Sequence, residues 1–136
     1  MLSDNDIREI LRPPRTIAVV GLSANPNRAS YHVAHFLQQQ GHRIIPVNPI
    51  LTAPILGENV YARLRDVAVP VDIVDIFRRP EYVPDIVADA IEIGARVVWM
   101  QLGIIHTEAA AQAQAAGLAV VMDKCTLIEY RRLIAS

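Results

Sequence analysis

Five short runs of almost unbroken apolar residues dominate the chain: Thr16-Ile-Ala-Val-Val20, Arg43-Ile-Ile-Pro-Val-Asn48, Asp72-Ile-Val-Asp-Ile-Phe77, Arg96-Val-Val-Trp-Met-Gln101 and Leu118-Ala-Val-Val-Met122. A strand with one wet face alternates apolar and polar residues. A run that is apolar at every position belongs in a strand covered on both sides, as in a parallel sheet. Parallel neighbours need crossover connections, and the intervening segments supply them as helices. The pattern therefore predicts a doubly wound α/β domain with a five-stranded parallel sheet.

The punctuation agrees with this reading. Residues 4–12 place Ile7, Ile10 and Leu11 on one helical face behind a Ser3 cap, and Pro13-Pro14 ends that helix. Ser30 is expected to cap a helix over 31–40 that Gly41 closes. Pro46 lacks a ladder donor, which points to an edge or the end of a strand. A short helical piece is expected near 62–66, and Pro80 and Pro84 lead into a helix reaching Ile93. Thr107 is expected to cap an alanine-rich helix ending at Gly117, and a last helix covers about 126–134. No linker or repeat interrupts the order, so one domain is expected over 1–136, with its core at about 16–133.

Composition removes several function classes. With 13 basic and 14 acidic residues the net charge is −1, which argues against a nucleic-acid or membrane-binding surface. The apolar runs are too short to span a bilayer. A lone cysteine, Cys125, cannot form an internal disulfide, and the first residues lack the pattern of a signal peptide; a cytoplasmic location is expected. Twelve of the basic residues are Arg, so single Arg positions are weighed by where they sit.

Ligands of an open parallel sheet bind beyond the carboxyl ends of its strands, at the point where strand order reverses. The loop after the first strand, Gly21-Leu-Ser-Ala-Asn-Pro-Asn-Arg-Ala29, is the most informative. Gly21 allows a sharp turn and close backbone approach. Ser23 and Asn25 offer short hydrogen-bonding groups, Arg28 a charge, and the following helix its unpaired N–H groups. Together they suit a phosphate or pyrophosphate. Nine residues are more than an ordinary connection requires. Gly-x-Gly-x-x-Gly is absent, and no acid follows the second strand, so a nicotinamide dinucleotide is disfavoured. The loop is not a P-loop either.

Phe77-Arg78-Arg79 follows the third strand, where one guanidinium can reach a ligand phosphate. Trp99 is read as core. Gln101 and Gly103 stand where they can line a pocket. His32 and His35 lie one turn apart without further ligands and read as a solvated face, so no metal site is expected. His106 remains a weak site candidate. Cys125 lies beside Lys124, but no positioned base accompanies it, so it reads as a packed thiol. Asp123 is expected to orient a loop.

Ala18-Val-Val-Gly-Leu-Ser-Ala-Asn-Pro-Asn-Arg-Ala-Ser30, Pro46-Val-Asn-Pro49, Ile55-Leu-Gly57, Val71-Asp-Ile-Val-Asp-Ile-Phe-Arg78, Val98-Trp-Met-Gln-Leu-Gly-Ile104 and Val120-Val-Met-Asp-Lys-Cys125 resemble, in order, the small stand-alone coenzyme A (CoA)-binding proteins. The fold of these proteins is that of the N-terminal domain of the succinyl-CoA synthetase α subunit. The resemblance implies a Rossmann-like domain holding CoA at the carboxyl ends of its strands. It implies that Gly21, Ser23, Asn25 and Arg28 take the phosphates, and that Asn48 and Pro49 lie by the adenosine end. Phe77 and Arg78 would sit beside the nucleotide or pantetheine, with Gln101 and Gly103 along the pantetheine path. Ile105-His106-Thr107 departs from the Asn-Glu pair of that family, which argues against a role for His106. The implied protein is a binding module for CoA or acyl-CoA, as monomer or homodimer, with or without a protein partner. Enzymatic action on a CoA thioester and binding of another nucleotide such as NAD are the alternatives. Kinship of fold does not transfer the synthetase reaction.

Overall fold

The apolar runs become β1 (Thr16–Val20), β2 (Arg43–Val47), β3 (Ile73–Ile76), β4 (Val97–Met100) and β5 (Ala119–Val121) in a computed structural model that describes residues 2–135. Met1 and Ser136, the ends of the expected domain, lie outside the described residues. The strands form one sheet in the order β2-β1-β3-β4-β5, and every neighbouring pair is parallel. The chain winds outward from β1 to β2, then returns to lay β3 on the other side of β1. This is the doubly wound, Rossmann-like arrangement expected.

Helices α1 (Asp4–Leu11), α2 (Ala29–Gln39) and α5 (Thr126–Leu133) cover one face, and α3 (Val83–Glu92) and α4 (Thr107–Ala115) the other. Because successive strand residues point to opposite sides, Ile17, Val19, Ile73 and Trp99 pack with Leu11, Val33, Leu37 and Tyr130. Ala18, Val74, Ile76, Val98 and Met100 pack with Val87, Ala90, Ala110 and Ala113. Trp99 is fully buried as expected, and its indole N–H donates to the Lys124 carbonyl at 2.7 Å, tying the loop after β5 to the core.

Several local expectations hold. Ser3 caps α1 through a reciprocal capping box with Asp6. Pro46 lies on the outermost strand; the Tyr61 N–H donates to the Pro46 carbonyl and the Asn48 N–H to the Tyr61 carbonyl. Those two bonds run along the outer side of β2, so the donor that Pro46 lacks would also have faced outward. The piece near 62–66 is a single 3-10 turn, Leu64–Asp66.

Two caps differ from expectation. Helix α2 begins at Ala29, which puts Ser30 inside its first turn; no side chain caps it. Thr107 is the first residue of α4, and the cap is His106, whose Nδ1 accepts from the Ala109 N–H at 3.0 Å. A ring nitrogen three residues ahead of an orphan donor does the work of a serine oxygen. His106→Ala is expected to cost about 1 kcal/mol, read as a lower urea midpoint with an unchanged slope.

Candidate functional site

The strand registers level the carboxyl end of the sheet. Val20 stands opposite both Val47 and Ile76, and Ile76 opposite Met100. Gly21, Asn48, Phe77 and Gln101 therefore leave the sheet along one line, and strand order reverses between β1 and β3, at Gly21 and Phe77.

Gly21 is held at φ +90°, and its N–H donates to the Val47 carbonyl at 2.8 Å. A Cβ there would come within 2.6 Å of the Phe77 carbonyl oxygen and 2.9 Å of Arg78 Cδ. Only glycine lets the two loops approach this closely. The loop beyond it is stitched by its own polar groups. The Ser23 N–H donates to Ser30 Oγ, the Asn25 N–H to Ser23 Oγ, and the Asn27 N–H to Asn25 Oδ1. Ser30, misplaced as a cap, thus fastens the loop to the first turn of α2. Asn48 spends both ends of its amide on the backbone, donating to the Leu22 carbonyl and accepting from the Ile50 N–H. Its place in the structure is to bind the loop after β2 to the loop after β1.

Three adjoining cavities follow the line of strand ends. Gly21, Ser23, Arg28, Asn48 and Phe77 line one of about 340 Å³ in front of the N-terminus of α2. Phe77, Arg78, Gln101, Gly103, Val33 and Cys125 help line a second, of about 440 Å³. Pro49, Arg63, Arg78, Tyr82 and Asp85 help line a third, of about 290 Å³, on the α3 side. Ala29 and Phe77 are shared by the first and second, and Arg78 by the second and third. Asn25 is exposed and lines none of the three.

The adjacent arginines diverge. The Arg78 guanidinium stacks on the Tyr82 ring, 4.2 Å from its centroid, while Arg79 extends into solvent with Glu81 at 3.7 Å. Stacking holds Arg78 by its face, leaving its N–H edge for an anion. Gly103 donates its N–H to Asp123 Oδ1 at 2.7 Å, which gives Asp123 the loop-orienting part expected. Lys124 places its ammonium 3.8 Å from Glu129, and Cys125 is half-buried in the wall of the largest cavity. His32 and His35 are exposed on α2, and among the described residues no three His, Cys, Asp or Glu side chains are grouped to hold a metal.

Asp75 is a site residue that the sequence motifs do not mark. It is wholly buried in β3, and burial pushes its carboxyl up to about 7 against the pull of hydrogen bonds from Gln101 and Thr126. An acid inside a central, otherwise apolar strand was the signal available.

A family model described as "CoA binding domain" matches residues 15–131. The uncharacterized protein YneT of Bacillus subtilis (strain 168) is 38% identical over 128 residues, 94% of each chain. A solved structure of a hypothetical protein from Pyrococcus horikoshii OT3 is 38% identical with a TM-score of 0.93, covering 98% of this chain and 93% of its own. At 23% identity and a TM-score of 0.70, the fold alone is shared with acetyl-coenzyme A synthetase 1 of Ca. Korarchaeum cryptofilum, over 82% of this chain and 26% of that one.

Proposed function

Because the chain belongs to the CoA binding domain family, we propose that it binds coenzyme A or an acyl-CoA across the carboxyl ends of its strands and acts as a binding module. The observation that carries this reading is the row of three cavities joined through Phe77 and Arg78, which suits an elongated ligand better than a compact one. Volumes of about 300–1,000 Å³ are usual for small-molecule sites. In this reading the diphosphate lies before the uncapped N-terminus of α2, against Gly21, Ser23 and Arg28. The adenosine end lies toward Pro49, and the pantetheine arm passes Phe77, Gln101 and Gly103. Asn25 and Asn48 hold the phosphate loop in shape. The apolar walls of the largest cavity, Val33, Phe77, Pro80 and Ile104, suit the aliphatic part of the arm. A reducing cytoplasm, where CoA and the Cys125 thiol both stay free, is the compartment that fits.

Calorimetric titration of ligand-stripped protein with CoA, dephospho-CoA, acetyl-CoA and NAD tests the reading. Binding of CoA forms without binding of NAD is expected; binding of NAD alone would overturn it. Arg28 is exposed beside the α2 N-terminus, and a charge-assisted bond contributes about 1.5–3 kcal/mol. Arg28→Ala is therefore expected to weaken CoA by roughly 10- to 100-fold. Unchanged affinity would remove the phosphate from this loop.

A further inference from the structure

Asp75 is the buried charge to which CoA binding alone assigns no task. Gln101, the first residue beyond β4, donates from Nε2 to Asp75 Oδ1 at 2.6 Å and to Thr126 Oγ1 at 2.9 Å. The Thr126 hydroxyl donates to Asp75 Oδ2 at 3.3 Å. Above about 7, where the Asp75 carboxyl is ionised, it only accepts. Both amide hydrogens of Gln101 are thereby drawn inward, and turning the amide over would set its oxygen against the carboxylate. Gln101 Oε1 is left as the outer prong. Among the described residues it accepts no hydrogen bond, and no sealed side-chain nitrogen or oxygen lacks a partner. Oε1 is accordingly not sealed, and Gln101 is one of the residues that line the 440 Å³ cavity.

We propose that Asp75 is a positioning residue: it locks Gln101 so that Oε1 stands as a fixed acceptor in the cavity wall, selecting a ligand arm that carries an N–H donor, as the amides of pantetheine do. This rests on the CoA reading above. The surrounding side chains sharpen the selection. Val33, Phe77, Pro80 and Ile104 are apolar, Arg78 and Arg79 only donate, and the Cys125 sulfur accepts weakly. An arm without a donor would leave Oε1 dry and unpaired, which disfavours it.

The test compares CoA with adenosine 3′,5′-bisphosphate, which keeps the nucleotide end and lacks the arm, by calorimetry on the full chain at about pH 8.5, where Asp75 is ionised. Asp75→Asn frees the amide of Gln101 to turn, and Gln101→Met removes its oxygen at similar size. Each is expected to weaken CoA about three- to tenfold, the yield of one neutral hydrogen bond, with the bisphosphate unchanged. The double variant is expected to lose no more than either single one, because Asp75 acts through Gln101. Equal losses for both ligands, or additive losses in the double variant, would mean a structural role and overturn the proposal. If Asp75→Asn fails to fold, an unchanged ratio of the two affinities in Gln101→Met overturns it equally. Wild-type protein that binds both ligands alike overturns this proposal and leaves the CoA reading standing; wild-type protein that binds no CoA overturns both.

Discussion

Gly21→Val should lower stability by roughly 2–6 kcal/mol, since backbone strain and crowding each cost about 1–3 kcal/mol, and should abolish CoA binding. The position has φ +90°, and a Cβ would press on the Phe77 carbonyl at 2.6 Å, where backbone has to yield. That contact joins β1 to β3 at the reversal of strand order, so yielding there parts the two loops that form the central cavity. Gly94→Ala is the control. Its φ of +73° carries the same kind of strain, yet nothing lies within 4 Å of the added carbon. Urea titration of both variants separates the two contributions. Equal losses would show that the close approach to Phe77 has no energetic weight.

The second large effect is in the pH dependence of stability. The Asp75 carboxyl stands at about 7 in the folded chain against 3.8 for the ordinary group. Its folded-state value is raised, so its contribution is fully present below 3.8 and is lost as pH rises through about 7. The gap corresponds to about 4 kcal/mol at about 1.4 kcal/mol per pH unit. Asp75→Asn should remove this slope: relative to wild type, the variant gains stability from pH 4 to pH 8 and levels off above. His42 works in the opposite sense. Its Nδ1 accepts from the Arg15 N–H, its Nε2 donates to the Leu11 carbonyl, and burial lowers its pKa from 6.5. Its contribution is present above 6.5 and lost as pH falls through the lower folded-state value. Both proteins carry His42, so its effect cancels in the comparison. Parallel stability curves for the two proteins would show that Asp75 does not titrate in this range. A variant that gains stability at pH 8 while losing selectivity for CoA would mark Asp75 as a residue kept for binding at the expense of folding.

The sheet was legible because burial on both faces leaves a coarse mark: four or five apolar residues in a row, repeated between helical segments. Strand order followed less directly, and the site loops least of all. Ser30 and Thr107 are good capping residues by type, yet one belongs to the loop stitch and the other follows a histidine that caps in its place. Capping depends on backbone turns of one or two residues, below what periodicity resolves. Gly21 stood out because a glycine directly after a buried strand has few reasons to be there. Asn25 stands out by its chemistry and Asn48 only through the family resemblance; what neither signal carries is that Asn25 Oδ1 and both ends of the Asn48 amide bond to the backbone. A period-two pattern records which face a residue takes, so the Asp75 carboxyl under Gln101 acquires meaning only when β3, β4 and α5 are brought together.

The outer border of β2 has one further consequence. Tyr61 already occupies the groups flanking Val47, and Pro46 contributes no donor there. At the opposite border β5 offers only three residues, Ala119–Val121. A neighbouring chain thus finds no long row of free amides to copy, which disfavours growth of the sheet by strand addition at either rim. Fibril seeding through the native sheet is therefore expected to be slow even at high concentration, a property that thioflavin fluorescence of the concentrated folded protein would check.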